Sequence, residues 1–197
     1  MSEIFKELSA EAFKAGITPK TKESIKWFTQ KAKELGKITK RSALMKEEEV
    51  TLRSRFLPGQ MLMYFYDPKL KDTLPYYDRF PLTIVIEKAP GGFYGLNMHY
   101  LPPLLRGKLL DSLINDTPTN NQKNDETTRL KLNYQKLKSA TKYKWFKPAF
   151  KHYLIDHVRS RFALVSPPEW EIAAFLPTAD WEKASQNKVW RDSRSMI

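Results

Sequence analysis

Apolar residues recur at helical spacing through residues 3–15, at Ile4, Phe5, Leu8, Ala12 and Phe13, and stop at Gly16. That pattern predicts a short helix with a glycine C-cap. After Pro19, Thr21 is placed to cap a second helix running to Leu35, with Ile25, Phe28, Ala32 and Leu35 as its apolar stripe and Lys22, Lys26 and Lys33 on its polar face. Residues 37–58 have no clear period and read as a linker, or as a segment that orders against a partner. From Gly59 to Pro103 the pattern changes. Three runs rich in β-branched and aromatic residues, Met61 to Tyr66, Phe80 to Glu87 and Phe93 to Leu101, are separated by Asp67-Pro68, Leu74-Pro75 and Ala89-Pro90-Gly91-Gly92. These are strands, and the last two form a hairpin. Alternation of Leu82, Ile84 and Ile86 with Thr83, Val85 and Glu87 predicts that one face of the sheet is less buried than the other.

Pro102-Pro103 then opens a helix whose apolar face is Leu104, Leu105, Leu109, Leu110 and Leu113. A polar stretch at 115–127 predicts an exposed loop, followed by a helix carrying Leu130, Leu132, Tyr134 and Leu137. A further helix is expected over WFKPAFKHYLIDHVRSRF, with Pro148 in its first turn. The compact run Trp170 to Leu176 fits an edge strand better than a helix, and the tail from Thr178 is polar apart from a turn around Trp181 and from Val189 and Trp190. The fold class is therefore α+β: a small antiparallel sheet, closed as an SH3-like barrel or open and covered by a helix, with basic α-helical flanks and an extended N-terminal arm. The expected divisions are a helical basic arm at 1–58, a core at 59–177 with its sheet at 59–101 and helices at 102–165, and a tail at 178–197.

Charge sharpens this picture. The chain has 197 residues and a net charge of +12, yet the acids and bases within the sheet region cancel. The excess lies on either side. Residues 20–55 carry 11 Lys or Arg against 5 Glu, and residues 129–161 carry ten basic residues against Asp156 alone. Arg129, Lys131, Lys136, Lys138, Lys142, Lys144, Lys147, Lys151, Arg159 and Arg161 are interleaved with Tyr134, Tyr143, Trp145, Phe146 and Tyr153, a mixture suited to neutralising phosphates while packing an apolar stripe. These ten are the candidate nucleic-acid contacts; a solvated face, or one matched to an acidic protein, accounts for the same charge. Lys37, Lys40, Arg41, Arg53, Arg55, Tyr76 and Tyr77 are the candidate contacts to a protein partner. The tyrosines and phenylalanines of the sheet fit a stacking surface, or more simply the filling of a core.

Other chemistry finds little footing. Without cysteine there is no disulfide, thiolate metal site or cysteine nucleophile. His152 and His157 are five positions apart, wrong for a metal pair on a helix, and His99 stands alone near a strand end. No phosphate-binding loop, dinucleotide fingerprint or nucleophile motif is present, so neither an enzyme nor a cofactor is expected. No window is apolar enough to span a membrane, and a soluble protein made in a cytoplasm is expected.

The segments YFYDPKLKDTLPYYDRFPLTIVIEKAPGGFYGLNMHYLPPLLRGKLLDSL, KWFKPAFKHYLIDHVRSRF, EWEIAAFLP and KVWRDSR resemble virion-associated proteins of large contractile-tailed bacteriophages, including those of the DNA end-protector and head-completion type. YYDRFPL and GLNMHYLPP are the most specific parts. The resemblance implies a particle component in a symmetric multi-copy assembly with other phage structural proteins, located in the virion and able to hold or tolerate double-stranded DNA. The alternative it implies is a protein that binds DNA ends and protects linear phage DNA from host nucleases. It brings no catalytic residues.

Overall fold

The computed structural model describes residues 3–18, 21–35, 41–45, 51–115 and 146–195. Its first two helices lie where the periodicity places them. α1 spans Glu3–Lys14 and stops before Gly16, whose φ of +68° is the left-handed conformation that a glycine C-cap supplies. α2 spans Lys22–Leu35 and starts on Thr21, whose Oγ1 accepts the Ser24 N–H at 3.0 Å. These helices are not detached from the rest. Phe5, Leu8, Ala12 and Phe28 are buried in one cluster with sheet residues, and the Ser24 hydroxyl donates to Glu171 at 2.5 Å.

The segment expected to be a linker holds a single helical turn, α3 (Arg41–Leu44), and a two-residue strand, β1 (Leu52–Arg53). The sheet continues through β2 (Met61–Met63), β4 (Leu82–Ala89), β5 (Gly92–Asn97), β6 (Phe150–Leu154) and β7 (Phe162–Val165). Its order is β1-β7-β2-β4-β5-β6, all antiparallel. A separate two-stranded ribbon joins β3 (Tyr77–Asp78) to β8 (Trp181–Glu182). Among the described residues β1 and β6 are the outermost strands and do not pair with each other, so of the two architectures the sequence allows the sheet is the open one and not a closed barrel. The mixed α+β class holds.

Both faces of the sheet are covered, contrary to the expectation from β4. Met61, Met63, Leu82, Ile84, Leu96 and Val165 face the helices, where α4 (Pro103–Asn115) and α5 (Trp170–Phe175) pack with α1 and α2. On the other face Thr83 and Val85 are fully buried, and Leu62, Tyr64, Tyr66, Phe93, Tyr153 and Phe162 make a second, ring-rich cluster capped by Phe56. Tyr64 meets Tyr66, Phe93, Tyr153 and Phe162 edge-on, so these rings fill a core and not a surface. Ile86 is buried on the helical side with Leu82 and Ile84, and a bulge between Val85 and Glu87 shifts the register with β5 there.

Three assignments change. Residues 150–154 form strand β6 where a helix was expected, so Lys151, Arg159 and Arg161 do not sit on a helix, and Lys147 opens only a single 3-10 turn, Lys147–Ala149, ahead of the strand. Trp170–Phe175 is a helix where a strand was favoured, because the Ser166 N–H and hydroxyl both donate to the Glu169 carboxylate and set up a capping box. The tail folds back: α6 (Gln186–Ser195) buries Val189, and Trp190 donates to the His99 carbonyl.

Candidate nucleic-acid interface

Two arginine pairs far apart in sequence meet at one end of the β1–β7 edge. Antiparallel pairing sets Leu52 opposite Ala163 and Arg53 opposite Phe162, which brings Arg53 and Arg55 alongside Arg159 and Arg161. Arg161 donates through Nη2 to the Leu52 carbonyl at 2.8 Å, and Arg159 through Nη1 to Asp156 O at 3.2 Å. The turn beneath is held by the Arg159 N–H on Phe65 O and by the Phe65 N–H on the Ser160 hydroxyl. All four side chains are exposed. Among the described residues only Arg159 has a carboxylate near it, Asp67 at 3.7 Å. Exposed guanidiniums on one edge, two of them tied to backbone carbonyls, present forked donors in the form that phosphate oxygens accept.

The other candidates divide. Lys147 is exposed, just ahead of β6. Lys151 is half-buried with its ammonium 4.2 Å from the centre of the Tyr100 ring, and burial pulls its pKa below the ordinary lysine value. Its charge is already engaged. Arg41 is engaged too: Nε donates to Thr178 O at 2.8 Å, Nη2 to Ala179 O, and Nη1 lies 3.6 Å from Asp180 Oδ1. Tyr76 is buried against Tyr100 and Trp181, and Tyr77 is half-buried in β3. Lys37, Lys40, Arg129, Lys131, Lys136, Lys138, Lys142 and Lys144 lie outside the described residues.

Sequence reasoning missed a buried polar hub. Asp78 Oδ1 accepts the N–H groups of Phe80 and Asp180 at 3.0 Å each, while Oδ2 accepts Asn97 Nδ2 at 3.0 Å and faces His99 Nδ1 at 2.6 Å. His99 Nε2 lies 3.1 Å from the Thr178 hydroxyl. Burial opposes ionisation of Asp78, yet the His99 ring, the Asn97 amide and the Asp180 N–H outweigh it and hold its carboxyl below the ordinary carboxylate range. Burial pushes His99 the other way, toward the neutral ring, with Asp78 offsetting part of that. A neutral imidazole that donates from Nδ1 to Asp78 and accepts the Thr178 hydroxyl at Nε2 satisfies every group. The order of carboxylate, imidazole and hydroxyl matches a nucleophilic triad, but Asp78, His99 and Thr178 are all buried, leaving no approach for a substrate. The hub holds the ribbon, the sheet and the tail together. Beside it, buried Arg106 donates to the carbonyls of Leu101, Ala174 and His99, and burial pushes its guanidinium down to about 10.

Among the described residues, no group of three or more His, Asp and Glu side chains is arranged to hold a metal ion, and no helix is long and apolar enough to cross a membrane. The family model described as phage T4 terminal DNA protecting protein matches residues 3–193. The chain belongs to that family. The match covers the sheet, the arginine edge, the hub and most of the tail, and it bears out the resemblance to phage proteins. No curated protein and no solved structure matches the chain.

Proposed function

We propose that this protein binds the ends of linear phage DNA and shields them from nucleases, acting by occupancy and not by catalysis. The observation that carries the reading is the family match over residues 3–193, whose description is protection of terminal DNA. The arginine edge supports it: Arg53, Arg55, Arg159 and Arg161 supply exposed cations for the phosphate backbone. The sequence adds Arg129, Lys131, Lys136, Lys138, Lys142 and Lys144, and Lys147 extends the same charge. DNA bound in this way is phage DNA in the infected cell, and a protector that stays bound enters the virion with it.

The test compares one linear duplex, with and without the protein, under digestion by a processive exonuclease. Protection of the linear duplex, together with competition by other linear DNA and not by covalently closed circles, is the expected result. Equal digestion with and without saturating protein overturns the reading. A second reading, a particle-structural role in contact with other phage proteins, is favoured by β1, which is an outermost strand among the described residues and is placed to accept a strand from a partner. Its sign is particle assembly abolished by changes that leave DNA protection intact.

A further inference from the structure

Phosphates run the whole length of a duplex, so a cationic edge attracts DNA without distinguishing an end from the middle. What an end alone offers is the open π-face of its last base. We infer that the ring stack of Phe150, Tyr94 and His152, on the outermost strand of the sheet, is the platform on which a terminal nucleobase of the DNA stacks. This inference rests on the end-binding function proposed above.

β6 is the outermost strand among the described residues, and its register sets Phe150 opposite Leu96 and His152 opposite Tyr94. Directly opposed residues of an antiparallel pair share a face, and diagonal neighbours come within reach when the side chains are aromatic. Tyr94 therefore sits between the two. Its ring lies 5.2 Å from that of Phe150 at 22° and 5.0 Å from that of His152 at 48°. His152 is fixed by a hydrogen bond from Nε2 to the Pro90 carbonyl at 3.1 Å.

The same two strands carry a second stack on their other face, Phe93 on Tyr153 at 5.4 Å and 29°. That one is fully enclosed and is accounted for by core packing. The outer stack is not enclosed. Phe150 is 44% exposed, on an edge where packing alone would be served by a smaller or polar residue. A near-parallel pair of rings, both held by the sheet, with Tyr94 half-buried and Phe150 open to water, is the arrangement that adds a third planar ring at low cost. Lys147, three residues before Phe150, is an exposed cation on the same stretch of chain.

The experiment uses the full chain with duplexes bearing 2-aminopurine either at the terminal position or in the interior, and with a closed circle as competitor. Terminal 2-aminopurine changes its emission on binding and interior 2-aminopurine does not. Phe150→Ala and Phe150→Leu, the latter keeping apolar bulk without a π-face, weaken binding to linear duplex by roughly 5- to 100-fold and leave binding to the circle unchanged. Phe150→Trp restores end preference. Because the side chain is half open, Phe150→Leu melts with the parent, and it decides the matter if Phe150→Ala melts lower. A silent terminal probe, with both variants keeping the parent's preference for linear DNA, overturns the platform while leaving end binding in place. A parent that binds circles and linear duplex equally overturns end binding and the platform together.

Discussion

Asp78 Oδ2 lies 2.6 Å from His99 Nδ1, and each of these side chains is only 1% exposed. A carboxylate in that position is tolerable because four donors point at it: two backbone N–H groups, an amide and an imidazole. Asp78→Asn turns one acceptor into a donor facing donors. It is expected to cost about 3–5 kcal/mol, lowering Tm by roughly 6–20 °C for a domain of this size, as read by a circular-dichroism melt.

Acid should weaken the same hub in two stages. The pKa of His99 in the folded protein lies below its ordinary value, so as pH falls the unfolded chain takes up the proton first. Its contribution is complete above about pH 6.5 and declines below that until the folded value is reached. Asp78, also depressed, keeps its contribution above about pH 3.9 and loses it as pH falls through its folded value. Tm measured from pH 8 down to about pH 2 is expected to hold and then fall, and His99→Gln is expected to flatten the first part of that fall.

The β4–β5 hairpin was legible in the sequence because Gly91-Gly92 is a local signal, but the two glycines do different work. Gly91 has φ +69°, whereas Gly92 has no such φ; a Cβ on Gly92 would stand 1.8 Å from the Tyr153 carbonyl oxygen. Gly91→Ala is expected to cost about 1–2 kcal/mol and Gly92→Ala about 3 kcal/mol, since the latter pushes β6 off β5. Urea unfolding of the two variants checks the order.

Arg106 serves three carbonyls with one planar fork, which a lysine cannot reproduce. Arg106→Lys is expected to cost about 2–3 kcal/mol, seen in the same urea titration, with no change in DNA binding at temperatures where both proteins are folded.

At the β1–β7 edge the expectation is the reverse. Replacing Arg53, Arg55, Arg159 and Arg161 with Gln should leave the melt unchanged and weaken binding to linear duplex. The slope of log K against log salt should shrink by about 0.9 for each phosphate that is no longer neutralised. A slope equal to the parent's would remove this edge from the interface.

What the sequence could show was local. Helices α1, α2 and α4 announce themselves through period and caps, and the hairpin through its turn. β6 was misread because Pro148 and scattered apolar residues suit a helix start, while on an edge strand only Tyr153 is fully buried, so the two-residue alternation is faint. α5 carried its own signal in Ser166 and Glu169, three apart, but the compact apolar run behind them looked like a strand. Long-range pairings left no trace. Nothing near His99 points to Asp78, 21 positions away, or to Thr178, 79 away. Arg53 and Arg161 were assigned to different partners because only the β1–β7 register brings them together.

The hub also orders events during synthesis. β4 and β5 leave the ribosome together and can pair at once, but Asp78 and His99 then wait for Thr178 and the Asp180 N–H, made about a hundred residues after Asp78. Until that late segment arrives the nascent chain holds a carboxylate and an imidazole that cannot be sealed away from water. A product truncated before residue 178 is thus left loose at its centre and open to proteolysis. Full-length translation becomes a condition for a closed fold.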